Sequence, residues 1–126
     1  MPKRILAVGN CAADHAALRA VIEQHFDARL IRAHGWDDAL AELQQTTVDL
    51  VLVNRRLDRD LSDGLEVIKQ IKADPQLVAT PCMMITNFAE HQERAVQAGA
   101  LAGFGKADLH RPETLEKLRT VLGPPR

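Results

Sequence analysis

The run Asp49-Leu50-Val51-Leu52-Val53 closes on Asn54 and carries its apolar residues without alternation. A strand with one wet face alternates apolar and polar side chains, so an unbroken run of Leu and Val describes a strand covered on both faces. Parallel sheets with helices on each side meet that condition, which restricts the chain to α/β architectures. The rest of the sequence agrees. Apolar runs at 4–8, 28–33, 82–86 and 102–106 alternate with stretches of helical period at 14–26, 36–45, 65–73, 90–98 and 112–122. The alternation predicts βα units wound into one parallel sheet with helices on both faces, and 49–53 as its central strand.

The predicted helices supply the covering faces. Leu18, Val21, Ile22 and Phe26 share one face of the first, Ala39, Leu40 and Leu43 one face of the second, and Leu65, Ile68 and Ile71 one face of the third. Leu115, Leu118, Val121 and Leu122 do the same in the last, with Pro112 in its first turn. The fourth helix, ended by Gly99, is poorly supplied: its only large aliphatic residue is Val96, set among alanines. It is expected to be the loosest-packed element. Gly103 and Gly105 dilute the fifth strand, and the Pro-rich tail at 123–126 cannot extend the last helix.

A chain of 126 residues suffices for one domain, expected over 1–122. With 16 basic and 17 acidic side chains the net charge is -1, so no global field favours nucleic acid or an anionic membrane as a partner. No apolar run approaches the roughly 20 residues that span a bilayer, and the start lacks a signal-peptide pattern, so a cytoplasmic location is expected. Cys11 and Cys82 have no CxxC spacing and fall at opposite ends of the sheet, which predicts free thiols. Histidines at 15, 25, 34, 91 and 110 include no i, i+4 pair, so no metal site is expected.

Several short segments, taken in order, resemble the response-regulator receiver domain (CheY-like) of two-component phosphorelay signalling. They are Lys-Arg-Ile-Leu-Ala-Val at 3–8, Val-Asp-Leu-Val-Leu-Val-Asn at 48–54, Asp63-Gly64-Leu65-Glu66, Thr80-Pro81, Ile85-Thr86, Ala98-Gly99-Ala100 and Lys106. The resemblance implies a flavodoxin-like, doubly wound α/β fold of five parallel strands in the order 2-1-3-4-5. In that family two acids after the first strand and an aspartate ending the third hold Mg²⁺, the aspartate accepts the phosphoryl group, and a hydroxyl and a lysine bind its oxygens. Carried over, the acid pair falls on Gly9 and Asn10, the phosphoacceptor on Asn54, the hydroxyl on Thr86 and the lysine on Lys106.

Only the hydroxyl and the lysine survive. Mg²⁺ takes hard oxygen ligands and usually one or two carboxylates, and phosphoryl transfer needs that charge neutralisation together with a nucleophile. With Lys106 as its one charge, the pocket is expected to tolerate an anion, and the amide oxygens of Asn54 and Asn10 are the expected partners of the ammonium. The family's switch aromatic is replaced by Gly103, while Phe104, one place later, should face the other way. Ala107 replaces the proline after the lysine, and the loop from Asn54 to Asp63 is longer than the usual pattern. Arg56 and Phe88 fall on the pocket rim, where a guanidinium would fill the metal's space and a ring would lid it.

These residues describe a degenerate, non-enzymatic receiver that needs no cofactor and works as a protein-interaction module. By resemblance it would bind a protein partner through its fourth helix, fifth strand and fifth helix, as a monomer or weak homodimer. Two other readings stay open. A loop aspartate, Asp58 or Asp60, would accept phosphate instead, or a small anion or nucleotide would bind at Lys106, Arg56 and the start of the first helix. Against them, Asp58, Asp60 and Asp63 suit solvated turn positions, with Asp63 capping the third helix. The run Arg55, Arg56, Arg59 is interleaved with acids, as in a mixed, solvated loop.

Overall fold

The computed structural model describes residues 2–126. Five strands, Lys3–Val8 (β1), Ala28–Ala33 (β2), Leu50–Asn54 (β3), Cys82–Ile85 (β4) and Leu101–Phe104 (β5), alternate with five α-helices. The helices are Ala12–His25 (α1), Trp36–Gln45 (α2), Leu65–Ala73 (α3), Ala89–Gln97 (α4) and Pro112–Leu122 (α5), and a 3-10 turn, Lys106–Asp108, precedes α5. All pairings are parallel and the strand order is β2-β1-β3-β4-β5. This is the doubly wound topology that the sequence predicts.

Strand periodicity divides the core in two. Leu6, Val8, Val51, Val53 and Met84 point to one side, where α2, α3 and α4 cover them with Ala39, Leu43, Val67, Ile68, Ile71 and Ala95. Ile5, Ala7, Leu50, Leu52, Met83 and Ile85 point to the other, under Leu18, Val21 and Ile22 of α1 and Leu118 and Leu122 of α5. Leu50 to Val53 are fully buried, as the lack of alternation requires. Burial also pushes the Cys82 thiol up to about 11, which leaves it protonated and inert.

Four details depart from the sequence pattern. In α3 the buried residue of the first turn is Val67, and Leu65 is only half-buried, because Val67, Ile68 and Ile71 form the tighter i, i+1, i+4 face. In α5 Leu115 packs against the core only half-buried and Thr114 is the buried residue; its hydroxyl donates to the Asp108 carbonyl at 2.7 Å, tying the helix to the preceding turn. β5 ends at Phe104 instead of Lys106: β4 advances from Met83 to Ile85 while β5 advances from Leu101 to Phe104. That extra residue is a bulge, and it ends the ladder early. Val96 of α4 stays 46% exposed, and Ala95 is the helix's buried residue.

Packing therefore differs sharply between centre and edge. Leu52→Ala should lower the unfolding free energy by about 2–5 kcal/mol, since it empties a fully buried site. Val96→Ala should change it by about 0.5 kcal/mol or less. Urea denaturation of the two variants measures both values.

Candidate functional site

The C-terminal ends of β1, β3 and β4 and the turn after β5 converge at one edge of the sheet, where open α/β sheets place their ligands. Asn54, the last residue of β3, is half-buried there. Its side-chain nitrogen donates to the Gly9 carbonyl at 3.3 Å and to the Arg56 carbonyl at 2.5 Å. Two acceptors fix which end of the amide is nitrogen and use both of its hydrogens. A carboxylate in the same place would set its oxygens against two carbonyl oxygens.

The space beside Gly9 is also filled. Leu57, a buried residue in an otherwise polar loop, packs so closely that a Cβ on Gly9 would lie 2.9 Å from the Leu57 Cα. Gly9 has a φ of 80°, a left-handed conformation that glycine adopts without steric cost. The Asp58 amide donates to the Gly9 carbonyl at 3.0 Å, which pins the loop over the end of β1. Asn10 is wholly buried, and neither polar atom of its side chain has a hydrogen-bond partner. Its carbonyl accepts from the Arg32 guanidinium at 3.2 Å.

Lys106 departs from expectation. Its ammonium donates to the Asp14 carboxylate at 2.5 Å, and the amide oxygens of Asn54 and Asn10 are not its partners. The bulge puts Lys106 in the 3-10 turn, at the level of the first turn of α1, so an acid on that helix reaches it first. The Asn87 side-chain oxygen accepts from the Ala107 amide at 3.1 Å and holds this turn against the end of β4. Thr86 is buried; its hydroxyl oxygen accepts from the Phe88 amide at 3.3 Å.

Asn54, Arg55, Arg56, Ile85, Thr86, Asn87, Phe88 and Lys106 enclose a cavity of about 270 Å³. Of the residues singled out from sequence, the structure brings Asn54, Arg56, Thr86, Phe88 and Lys106 together here and leaves Gly9 and Asn10 outside. Phe88 does not close the cavity. It is 63% exposed and packs edge-on against His91, with ring centroids 5.9 Å apart. A larger cleft of about 630 Å³ follows the edge of β2 beside Arg19, Glu23 and Arg29, and none of the singled-out residues lines it.

The residues at this edge do not fit a magnesium ion. Gly9 offers no side chain, Asn10 and Asn54 offer amides, and the nearby carboxylates are engaged: Asp14 with Lys106, Asp58 with Arg32 and His34. Asp58 faces β2 instead of the cavity. Asp60 accepts from the Ser62 amide at 2.9 Å and Asp63 from the Leu65 amide at 3.0 Å, which are turn and helix-start roles.

Gly103 lies behind the cavity, on the α4 side of β5, and Gln92 of α4 occupies the room a side chain there would need. The Gln92 amide accepts from the Gly103 N–H at 2.9 Å and donates to the Met84 carbonyl at 2.9 Å, so one side chain bridges α4, β4 and β5. A Cβ at Gly103 would overlap the Met84 carbonyl oxygen and come within 3.1 Å of the Met84 nitrogen. Phe104 faces the opposite core, beside Leu118, as alternation predicts. Leu57, Asp14 and Gln92 were not singled out from sequence; Leu57 alone carried a signal, as an apolar residue in a polar loop.

The family model for the response regulator receiver domain matches residues 5–119. The polar-differentiation response regulator DivK of Brucella anthropi is 27% identical over 124 residues, 98% of this chain and 98% of that protein. The chemotaxis response regulator CheY4 of Vibrio cholerae superposes with a TM-score of 0.76 at 22% identity, over 97% of this chain and 100% of that one. A response regulator structure from Chloroflexus aurantiacus gives 0.84 at 19% identity, over 97% and 98%.

The Asp14–Lys106 pair makes a pH-dependent contribution whose sign follows from geometry. The Lys106 hydrogen bond holds the Asp14 carboxyl below the usual carboxylate range, partly opposed by burial. A carboxyl depressed in the folded state stabilises the fold above its unfolded value, and that stability is lost as pH falls through the folded value. Carboxyl NMR titration should therefore find the Asp14 midpoint below that of an exposed aspartate. In Lys106→Ala the midpoint should rise; no movement would mean that the pair is absent in solution.

Proposed function

The chain belongs to the response regulator receiver domain family, and on that premise we propose that it signals in the cytoplasm through protein contact, without accepting a phosphoryl group. One observation carries this reading: the amide of Asn54 is held by two backbone carbonyls at the place where the family's carboxylate nucleophile stands. An amide oxygen is a poor nucleophile toward phosphorus, and no carboxylate is free nearby to gather the metal that phosphoryl transfer relies on. Leu57 beside Gly9 supports the same conclusion, since the acid pair has given way to an apolar contact.

The partner surface in this proposal is α4, β5 and α5. β5 is the sheet edge; Leu101 on it is 45% exposed, and Val96 of α4 is 46% exposed. The face is apolar at its centre and charged around it, with Glu116 and Lys117 of α5 bordering Leu101 and Ala102. That pattern suits a transient protein contact with a polar rim. Lys117 donates to the Gly103 carbonyl at 2.8 Å and Gln92 accepts from its N–H, so side chains already satisfy this part of the edge strand. Contact by side chains is thereby favoured over strand addition. The proposed state is a monomer or weak homodimer.

Incubation with Mg²⁺ and acetyl phosphate, followed by intact-mass measurement, tests the reading. The expected result is no phosphoryl adduct. A stoichiometric adduct on Asp58, Asp60 or any other aspartate would overturn it. In the same reading, Leu101→Glu should abolish capture of the partner from native extract while leaving the thermal midpoint unchanged, since Leu101 is largely exposed.

A further inference from the structure

The lengthened loop after β3 reaches across to the start of α2, where the Arg59 guanidinium lies against Gly35 and donates to the Asp37 carboxylate at 2.8 Å. The loop is fastened from within as well. The Leu57 amide donates to the Ser62 carbonyl at 2.9 Å and the Leu61 amide to the Leu57 carbonyl at 2.8 Å. Between this loop and the first turns of α2 and α3 runs a groove of about 390 Å³, within the range of ligand sites. These bonds hold one wall of the groove in shape before anything enters it, which lowers the ordering cost of binding.

Apolar side chains and acids share the lining. Trp36, Leu57 and Val67 supply the apolar part. Leu57 and Val67 are buried, whereas Trp36, the chain's single tryptophan, packs against the core and stays half-exposed. Asp37, Asp60, Asp63 and Glu66 line the groove against one cation, Arg59. Arg59 is taken by Asp37. Among the described residues Asp60 and Asp63 are in no ion pair, and Glu66 meets only Lys69, at 3.7 Å and from outside the groove. A carboxylate accepts several hydrogen bonds, so the amide contacts of Asp60 and Asp63 leave much of that capacity unused.

This combination selects its occupant. An excess of carboxylates repels nucleic acid and other anions. Nor do the acids converge as ion ligands do: among the described residues no three His, Cys, Asp or Glu side chains group in a way that would hold a metal. Spread beside an indole, they suit a guanidinium, whose planar face stacks on tryptophan while its N–H groups reach carboxylates. The chain supplies one such contact itself, between Arg59 and Asp37. Leu61, between the lining residues Asp60 and Ser62, is 66% exposed on a left-handed backbone with φ of 62°, so an apolar contact is presented next to the acids.

We propose that the groove between α2, the β3–α3 loop and α3 docks an arginine-containing segment of a partner protein, with an arginine on Trp36 and an apolar neighbour against Leu61. No residue of α4, β5 or α5 lines this groove, so it is a second contact surface. Neither the Leu101→Glu capture result nor the acetyl phosphate result decides it.

A blocked synthetic peptide of alternating arginine and leucine, titrated at physiological ionic strength, tests the proposal through Trp36 fluorescence and amide NMR. A saturable fluorescence change is expected, with shifts centred on 36–37, 57–63 and 66–70, and the glutamate–leucine counterpart should produce neither. The Asp60→Asn, Glu66→Gln double variant should bind about tenfold more weakly, since two lining charges are lost from exposed positions. Gln70→Lys puts a cation at an exposed groove position and gives a second readout if the double variant folds poorly; it should weaken binding several-fold. Glu113→Gln, on α5 at the other side of the sheet, should bind like the parent. Absence of saturable binding, shifts centred on α4, β5 and α5, equal binding of the acidic peptide, saturation by Ca²⁺ alone, or parent-like affinity in both the double variant and Gln70→Lys would overturn the proposal.

Discussion

Two carbonyl oxygens, those of Gly9 and Arg56, converge on the side chain that ends β3, and only a hydrogen-bond donor satisfies both. Much of the local architecture follows from this demand. The Arg56 carbonyl can turn inward because the loop folds back on itself, with an isolated bridge between Arg56 and Asp63 and the Leu57 amide donating to Ser62 at 2.9 Å. That fold inserts Leu57 against Gly9, which must then be a glycine both for its positive φ and for lack of room. Asn54, Leu57 and Gly9 therefore form one unit, and changing one leaves the other two set against the replacement.

Charge is redistributed in the same region. Lys106 turns to Asp14 on α1, and Asp58 turns to Arg32 and His34 beside β2, so both acids nearest the sheet edge are paired and neither lines the cavity. What remains facing inward is basic. Behind the cavity, Gln92 replaces an aromatic ring with a hydrogen-bonded bridge, holding α4 to β4 and β5 through directional contacts in place of apolar area. α4 buries little, as its alanines foretell, yet it is not simply loose: its attachment is polar and localised.

The fold was legible in the sequence because it rests on period and burial, which local patterns encode. The unalternating residues of β3 gave the central strand, and Leu18, Val21 and Ile22 gave the covered face of α1. Leu65 and Leu115 pack against the core only half-buried, while Val67, two places on, and Thr114, one place back, take the fully buried positions, because neighbouring residues compete for the same face. The β5 bulge was not legible, since glycines at 103 and 105 permit several backbone paths and the register is settled by β4. At the site, residue identities at Asn54, Thr86 and Lys106 were readable from position along the strands. Their partners were not. Asp14 lies 92 residues from Lys106 in sequence, and no local pattern announces that the first turn of α1 meets the turn after β5.

The surroundings of Asn54 call for an amide, so that a carboxylate there is a misfit even though it has the same shape. Asn54→Asp tests it most directly, by denaturant unfolding at neutral pH with and without millimolar Mg²⁺. The variant is predicted to lose about 1 kcal/mol of stability, the cost of replacing satisfied, half-buried donors with an acceptor facing acceptors, and to gain nothing from Mg²⁺. A variant as stable as the parent, or one that Mg²⁺ stabilises, would contradict it.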